Sequence, residues 1–192
     1  MKVAVFFTWS YALTTWSESG TLSRELKFFQ KIEKESDVSF SFFTYGNTQD
    51  SKLAFEYNLQ EVHPIYSSSK YYKSKILRIL SSIYLPFKIK EKIKNVDLLF
   101  QNQLLGCWIP ILIKKIYKKP LVIRTGYDMH YFSIKDNKSL AVKTFYKFLT
   151  YISLRYSDIY TVTSKEDQKR LIKQYKKIIK IIRIRPNWVK RV

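Results

Sequence analysis

The sequence predicts an α/β fold, a single domain in which a mostly parallel sheet carries helices on both faces. Three observations predict it. Short, largely apolar runs at residues 3–7, 97–101, 121–124 and 158–163 have the character of strands covered on both sides. Segments with apolar residues at helical spacing alternate with them. The 192 residues, 46% of them hydrophobic, suffice for one core, and no repeat, low-complexity tract or linker divides them.

Residues 3–7 open the chain as a buried strand. A single lysine, only five apolar residues after it and no small-x-small site before Glu18 set this segment apart from a signal peptide. Residues 8–20, rich in Ser, Thr and Trp, read as a loop. Leu22, Leu26, Phe29 and Ile32 mark one face of an amphipathic helix. Val38, Phe40 and Phe42 alternate with Ser39 and Ser41, the pattern of a strand with one polar face. Residues 61–66 form a weaker strand. In residues 70–94 an apolar stripe of Ile76, Leu77, Leu80, Ile83 and Tyr84 runs beside Lys70, Lys73, Lys75 and Arg78, and Pro86 interrupts the helix.

From residue 97 the alternation is regular. The strand at 97–101 precedes a helix through Ile109, Leu112, Ile113 and Ile116, with Pro110 tolerated in its first turn. The strand at 121–124 precedes a helix through Ala141, Phe145, Phe148, Leu149 and Ile152, with Asp136 as its cap. The strand at 158–163 leads to a helix capped by Ser164, and a last strand at 179–185 ends in a turn at RPNWV. Ligands of such sheets bind at the carboxyl ends of the strands, so the loops after Phe7, Gln101, Arg124 and Thr163 should share one rim.

Composition narrows the function. The only cysteine, Cys107, excludes a disulfide scaffold and reads as a small buried residue, and with two histidines in the chain a zinc site is excluded as well. The longest apolar run, residues 104–113, is too short to span a bilayer. The net charge is +20, and it is uneven: 14 basic against 9 acidic residues up to Val96, 21 against 6 from Asp97. Such a surplus attracts anions, whether nucleic acid, acidic lipid or phosphorylated substrate. Coding bias gives the same mixture, with 27 lysines against four alanines and four glycines. The lysines are spread along elements, which argues against a nucleic-acid motif.

No GxGxxG, Walker A or GxSxG motif is present, which disfavours a classical NAD enzyme, an NTPase and an α/β-hydrolase. Three features remain. In the loop WSYALTTWSESGTLSREL, Gly20 and Thr21 either offer backbone N–H groups to an anion or only form a turn, and Trp9, Tyr11 and Trp16 either stack on a ligand or fill a core. In KKPLVIRTGYDMHYF, Asp128 either deprotonates an acceptor hydroxyl or pairs with Arg124, which otherwise holds a phosphate, and His130 is a weaker general base. The stripe within residues 70–94 either lies on an anionic membrane through Lys70, Lys73, Lys75 and Arg78 or packs on the sheet.

The order of KVAVFFT, SGTLSREL, NVDLLFQNQ, KKPLVIRTGYD, RYSDIYTVTSKED and RPNWV resembles the N-terminal, Rossmann-like half of a GT-B glycosyltransferase of family 4. The resemblance covers nearly the whole sequence. It implies retaining transfer of a sugar from a nucleotide sugar, a UDP- or GDP-sugar, without a bound metal or other cofactor. The acceptor is a saccharide or lipid-linked saccharide. By this resemblance Ser19, Gly20, Thr21 and Arg124 face the donor phosphates, Trp16, Tyr127 and His130 contact the acceptor, and Asp128 is the catalytic candidate. Gly126 stands where many relatives carry a histidine, and Trp188 where glycine usually follows the residue matching Asn187. In the family a second Rossmann-like domain holds the nucleotide and the paired glutamates of an E-x7-E motif, and the resemblance does not extend to it, so residues 1–192 are expected to be the acceptor-side domain alone, partnered by a donor-binding domain or a separate donor subunit. The expected setting is cytoplasmic, peripheral on the inner face of the membrane, in surface polysaccharide or lipopolysaccharide assembly. The rival is a non-catalytic membrane-surface module or an inactive fragment of the same fold. Nucleic acid is not an expected partner.

Overall fold

The computed structural model describes residues 1–176 and 182–186. Among these residues the sheet has seven strands, all parallel, in the order β3-β2-β1-β4-β5-β6-β7. These are β1 Lys2–Phe6, β2 Ser39–Thr44, β3 Glu61–Pro64, β4 Leu98–Asn102, β5 Leu121–Arg124, β6 Ile159–Val162 and β7 Ile182–Ile184. Successive strands run outward from β1 to β3, then restart on the other side of β1 at β4. The switch point therefore lies between β1 and β4.

The central strands are apolar because both faces are covered: Val3, Ala4, Val5, Phe6, Leu99, Leu121 and Ile123 are all buried. β2 departs from its expected polar face, since Ser41 is fully buried between Phe40 and Phe42. Two aspartates placed just before strands tie neighbours together. The Asp97 carboxylate accepts from the Lys2 N–H at 2.7 Å, and Asp158 accepts from the Leu121 N–H at 2.8 Å and pairs with Lys114. Cys107 is fully buried, and burial pushes its thiol up to about 12.

The helices are α1 Leu13–Glu18, α2 Leu22–Glu35, α3 Thr48–Glu56, α4 Ile65–Ser68, α5 Lys75–Ser82, α6 Leu85–Lys88, α7 Lys90–Lys94, α8 Trp108–Tyr117, α9 Met129–Lys135, α10 Leu140–Tyr156 and α11 Lys165–Gln174. α2 buries Leu22, Leu26 and Phe29, as its spacing requires. Ser164 accepts from the Asp167 N–H at 3.0 Å, the expected cap of α11. Asp136 does not cap α10; it ends α9, whose own cap is Asp128, and Ser139 precedes α10. The loop expected at residues 8–20 contains α1, and α3 lies where no element was expected. The described part of the last strand is Ile182–Ile184; the turn at RPNWV, with Asn187 and Trp188, extends outside the described residues.

His63 on β3 stacks near Phe43, with ring centroids 4.9 Å apart, and its Nδ1 lies 3.2 Å from Lys92 Nζ. Burial first, then the Lys92 and Lys2 ammonium groups, push its pKa from 6.5 down to about 4, with Glu61 opposing. The folded protein thus keeps the imidazole neutral while the unfolded chain takes up a proton near 6.5. Stability should be full above that value and fall as the pH drops toward about 4, by at most about 1.4 kcal/mol per pH unit. His63→Gln should flatten this limb of the urea midpoint against pH. An identical limb in the variant would assign it to other groups.

Candidate functional site

A cleft of about 650 Å3 opens at the carboxyl ends of β1, β4 and β5, at the switch point. Thr8 and Tyr11 follow β1, Asn102 and Gln103 end β4, and Arg124, Gly126 and Tyr127 end β5. The first turns of α2 close one wall with Arg24, Glu25 and Phe28, and Arg185 approaches from the end of β7.

Charge defines this cleft. Arg124 Nη1 donates to Asn102 Oδ1 at 2.9 Å and lies 3.8 Å from Glu25 Oε2. Glu25 is also held by Arg24 at 2.9 Å. The Arg185 guanidinium lies over Phe28, 4.4 Å from the ring centroid, and 5.6 Å from that of Phe100. Burial lowers the pKa of Arg124, with Glu25 opposing and Arg24 adding to it. Burial and then the neighbouring Arg124 lower that of Arg185. Both guanidiniums stay charged. Among the described residues three cations therefore face one carboxylate in a partly desolvated cleft, a surplus that suits a phosphate or carboxylate ligand.

The backbone at the rim is tightly held. Gln103 adopts a left-handed φ of 75°, a costly conformation for a non-glycine residue that recurs at functional sites. Its N–H donates to the Arg124 carbonyl at 2.8 Å, and its Oε1 accepts from the Gly126 N–H at 2.8 Å. Thr163 Oγ1 donates to the Gly126 carbonyl at 2.8 Å. A Cβ on Gly126 would lie 3.0 Å from Gln103 Nε2, so the absent side chain lets the two loops meet.

The structure brings Trp16, Ser19, Thr21, Arg124 and Tyr127 to this cleft and leaves Asp128 and His130 off its lining. Trp16 is buried and stacked on Phe7 with centroids 4.0 Å apart, so most of its ring belongs to the core. Gly20 and Thr21 offer no free backbone donors. The Gly20 N–H donates to the Ser17 carbonyl and the Thr21 N–H to the Trp16 carbonyl, with Gly20 at φ 66°, which is the Schellman close of α1. The turn reading of Gly20 holds, and the side-chain hydroxyls of Ser19 and Thr21 are what this loop presents to the cleft.

Asp128 does not pair with Arg124. Its buried carboxylate accepts from the Tyr131 N–H at 3.0 Å, capping α9, and pairs with Arg170 at 3.3 Å. His130 is buried, 3.3 Å from Gln174 Nε2, and burial lowers its pKa against the pull of Asp128. Arg24, Glu25, Phe28, Phe100 and Arg185 were not foreseen as site residues. An Arg-Glu pair on an amphipathic helix has the sequence signature of a solvated face. Arg185, next to Pro186 at the end of a strand, carried the one visible signal.

Outside the cleft, Lys70, Lys73 and Lys75 are exposed at the start of α5. Arg78 is turned inward, its guanidinium over Trp9 at 5.5 Å and Tyr71 at 5.0 Å, donating to the Tyr71 hydroxyl at 2.7 Å. The alternative in which the α5 stripe packs on the sheet does not hold, since Ile76, Leu77 and Leu80 are exposed. Among the described residues no cluster of three or more His, Cys, Asp or Glu is placed to hold a metal ion, and no helix is long and apolar enough to cross a membrane.

No protein-family model matches the sequence. No curated protein matches it either. Solved structures do share its shape. A sucrose-phosphate synthase from Thermosynechococcus elongatus superposes with a TM-score of 0.59 at 10% identity, over 99% of this chain and 91% of that one. A putative UDP-N-acetylglucosamine 2-epimerase from Listeria monocytogenes gives 0.56 at 12% identity, over 94% of this chain and 44% of that one. Anabaena HepE in complex with UDP and glucose gives 0.54 at 15% identity, over 94% and 43%. The chain thus spans less than half of the last two. At these identities the likeness shows fold alone, and the fold is a Rossmann-like half of the GT-B architecture.

Proposed function

We propose that this chain is the acceptor-side half of a glycosyltransferase. It would transfer a sugar, with retention, from a UDP- or GDP-sugar to a saccharide or lipid-linked saccharide in surface polysaccharide synthesis. The observation that carries the reading is the switch-point cleft of a GT-B half in which, among the described residues, Arg24, Arg124 and Arg185 gather around the carboxylate of Glu25. The likeness to a sucrose-phosphate synthase and to HepE bound to UDP and glucose supports it. A second domain or separate subunit holds the nucleotide. This chain's arginines meet the phosphate groups that border the reacting centre, and Tyr127, half exposed at the rim, contacts the acceptor.

In this reading Asp128 is a positioning residue. It fixes the start of α9, and with it Tyr127, through the Tyr131 N–H and Arg170. In a chain supplied with a donor domain, Asp128→Asn keeps a capping oxygen but loses the ion pair. It should raise KM for the acceptor by about threefold to tenfold, with kcat nearly unchanged and Tm lowered. A kcat loss of about a thousandfold at unchanged KM would make Asp128 the catalytic base instead.

The test is calorimetric titration of the whole chain with UDP-glucose, GDP-mannose and a short-chain polyprenyl-diphosphate-linked saccharide. The diphosphate-linked acceptor should bind, and binding should vanish in Arg124→Gln. Binding by none of the three, or binding indifferent to Arg124, overturns the assignment and favours the non-catalytic module.

A further inference from the structure

α5 and α6 form one nearly continuous helical segment, joined through helical backbone at Ile83 and Tyr84. A helix on a globular domain normally turns its apolar face inward. This one does the reverse. Ile76 is 71% exposed, Tyr84 67%, Phe87 61%, Leu80 52%, Leu77 49% and Ile83 45%. Their spacing at positions 76, 80, 83, 84 and 87 places them along one side of the segment.

The segment is not loose. The inward side is fixed by Arg78 stacked between Trp9 and Tyr71, by Trp108 Nε1 donating to the buried Ser82 hydroxyl at 2.8 Å, and by buried Leu85 and Pro86. Tyr117 adds a hydrogen bond to the Pro86 carbonyl at 3.2 Å. The domain thus spends its polar contacts on holding an apolar ridge outward. Six large side chains exposed together make a patch larger than scattered surface hydrophobes explain.

The charge around the ridge identifies what covers it. Residues 70–94 hold seven lysines and Arg78 against one acid, Glu91. Lys70, Lys73 and Lys75 are exposed before the ridge, and Lys88 and Lys90 after it. Protein interfaces are depleted in lysine at their cores, whereas an apolar ridge with lysine flanks is the make-up of a helix seated in an anionic lipid surface. We propose that α5 and α6 dock this chain on an anionic bilayer, the ridge entering the headgroup–acyl boundary and the lysines meeting lipid phosphates. Arg78, stacked on Trp9 and Tyr71, anchors the segment.

The inward side of the segment is linked to the cleft through the loop after β1. Trp9, which carries Arg78, lies two residues before Tyr11, which lines the cleft. The anchored side of the segment and the rim of the cleft are therefore joined through the same short stretch of chain. If the glycosyltransferase reading is right, the acceptor is presented from the lipid; the docking itself does not depend on that reading.

The experiment is co-sedimentation of the whole chain with vesicles of phosphatidylcholine alone and of two-thirds phosphatidylcholine with one-third phosphatidylglycerol, in low and high salt. The chain should bind the anionic vesicles only, and less in high salt. Leu80→Glu/Phe87→Glu, at exposed positions and so with unchanged Tm, should weaken partitioning about a hundredfold. Lys73→Gln/Lys75→Gln/Lys88→Gln should weaken it about tenfold or more. Equal binding by the Leu80→Glu/Phe87→Glu variant would show that overall charge alone holds the chain, and would overturn the proposal. So would equal binding to neutral vesicles. Absence of vesicle binding together with a dimer that the same pair dissolves would assign the ridge to a second copy. Titration of the cleft with the diphosphate-linked saccharide is read separately, so either proposal can fail without the other.

Discussion

Asp50→Ala is expected to lower the stability of this protein by about 4 kcal/mol, a large part of the 5–15 kcal/mol typical of a domain. Asp50 is fully buried in the first turn of α3, yet its carboxylate serves α1. It accepts from the Leu13 N–H at 3.1 Å, the Thr14 N–H at 3.2 Å and the Thr44 hydroxyl. Hydrogen bonds to a charged acceptor contribute about 1.5–3 kcal/mol each, and alanine leaves buried donors unpaired. Asp50→Asn keeps one acceptor oxygen and should cost about half as much. Gly46→Ala should act at the same point, because its Cβ would fall on the Asp50 carboxylate, which can move away only by giving up its hydrogen bonds to Leu13, Thr14 and Thr44. Urea unfolding followed by circular dichroism reads all three. A midpoint for Asp50→Ala equal to that of the parent would mean α1 is held by something else. The consequence reaches the cleft, since α1 and its closing turn carry Trp16, Ser19 and Thr21 into the lining.

The same carboxylate explains why α1 was illegible. A helix start is read from a local Ser, Thr, Asp or Asn, and here the N-cap position is Ala12. The cap comes from a residue 37 positions away, which only the fold brings near. The strands were legible for the opposite reason: runs such as LVIR at β5 must be buried on both faces, and nothing distant alters that reading. The α5 stripe was legible as a helix face but not as an outward one. Periodicity gives the angle between residues, while the anchors that orient the face, Ser82 under Trp108 and Arg78 under Trp9, are tertiary. In the cleft, Arg124 stood out because it ends an apolar strand. Asp128, two residues after Gly126, looked equally exposed to chemistry, and only the approach of Arg170 from α11 shows that its carboxylate is engaged.

Arg124→Gln is expected to reduce sugar transfer by about a hundredfold or more, about 2.7 kcal/mol at the transition state, once the chain is supplied with a donor domain. The argument starts from burial. The side chain is only 12% exposed, so its charge is poorly screened and a ligand phosphate reaching it replaces little water. Nη1 is positioned by Asn102, which fixes the guanidinium plane before any ligand arrives. Glu25 keeps the cation paired without cancelling the surplus that Arg24 and Arg185 bring. Arg124→Lys should recover only part of the loss, because an ammonium cannot give the parallel pair of N–H donors that a phosphate accepts. Arg185→Gln should follow with a smaller effect. Arg24→Gln should have the least, its side chain being 56% exposed and screened by water. Glu25→Gln provides the internal control: removing the carboxylate raises the surplus charge, so binding of a diphosphate-linked acceptor should tighten while that of an uncharged saccharide stays the same. An Arg124→Gln chain with parental turnover would remove the cleft from the phosphate path. A loss shared equally by charged and uncharged acceptors would instead make Arg124 a support for the β4 and β5 rim.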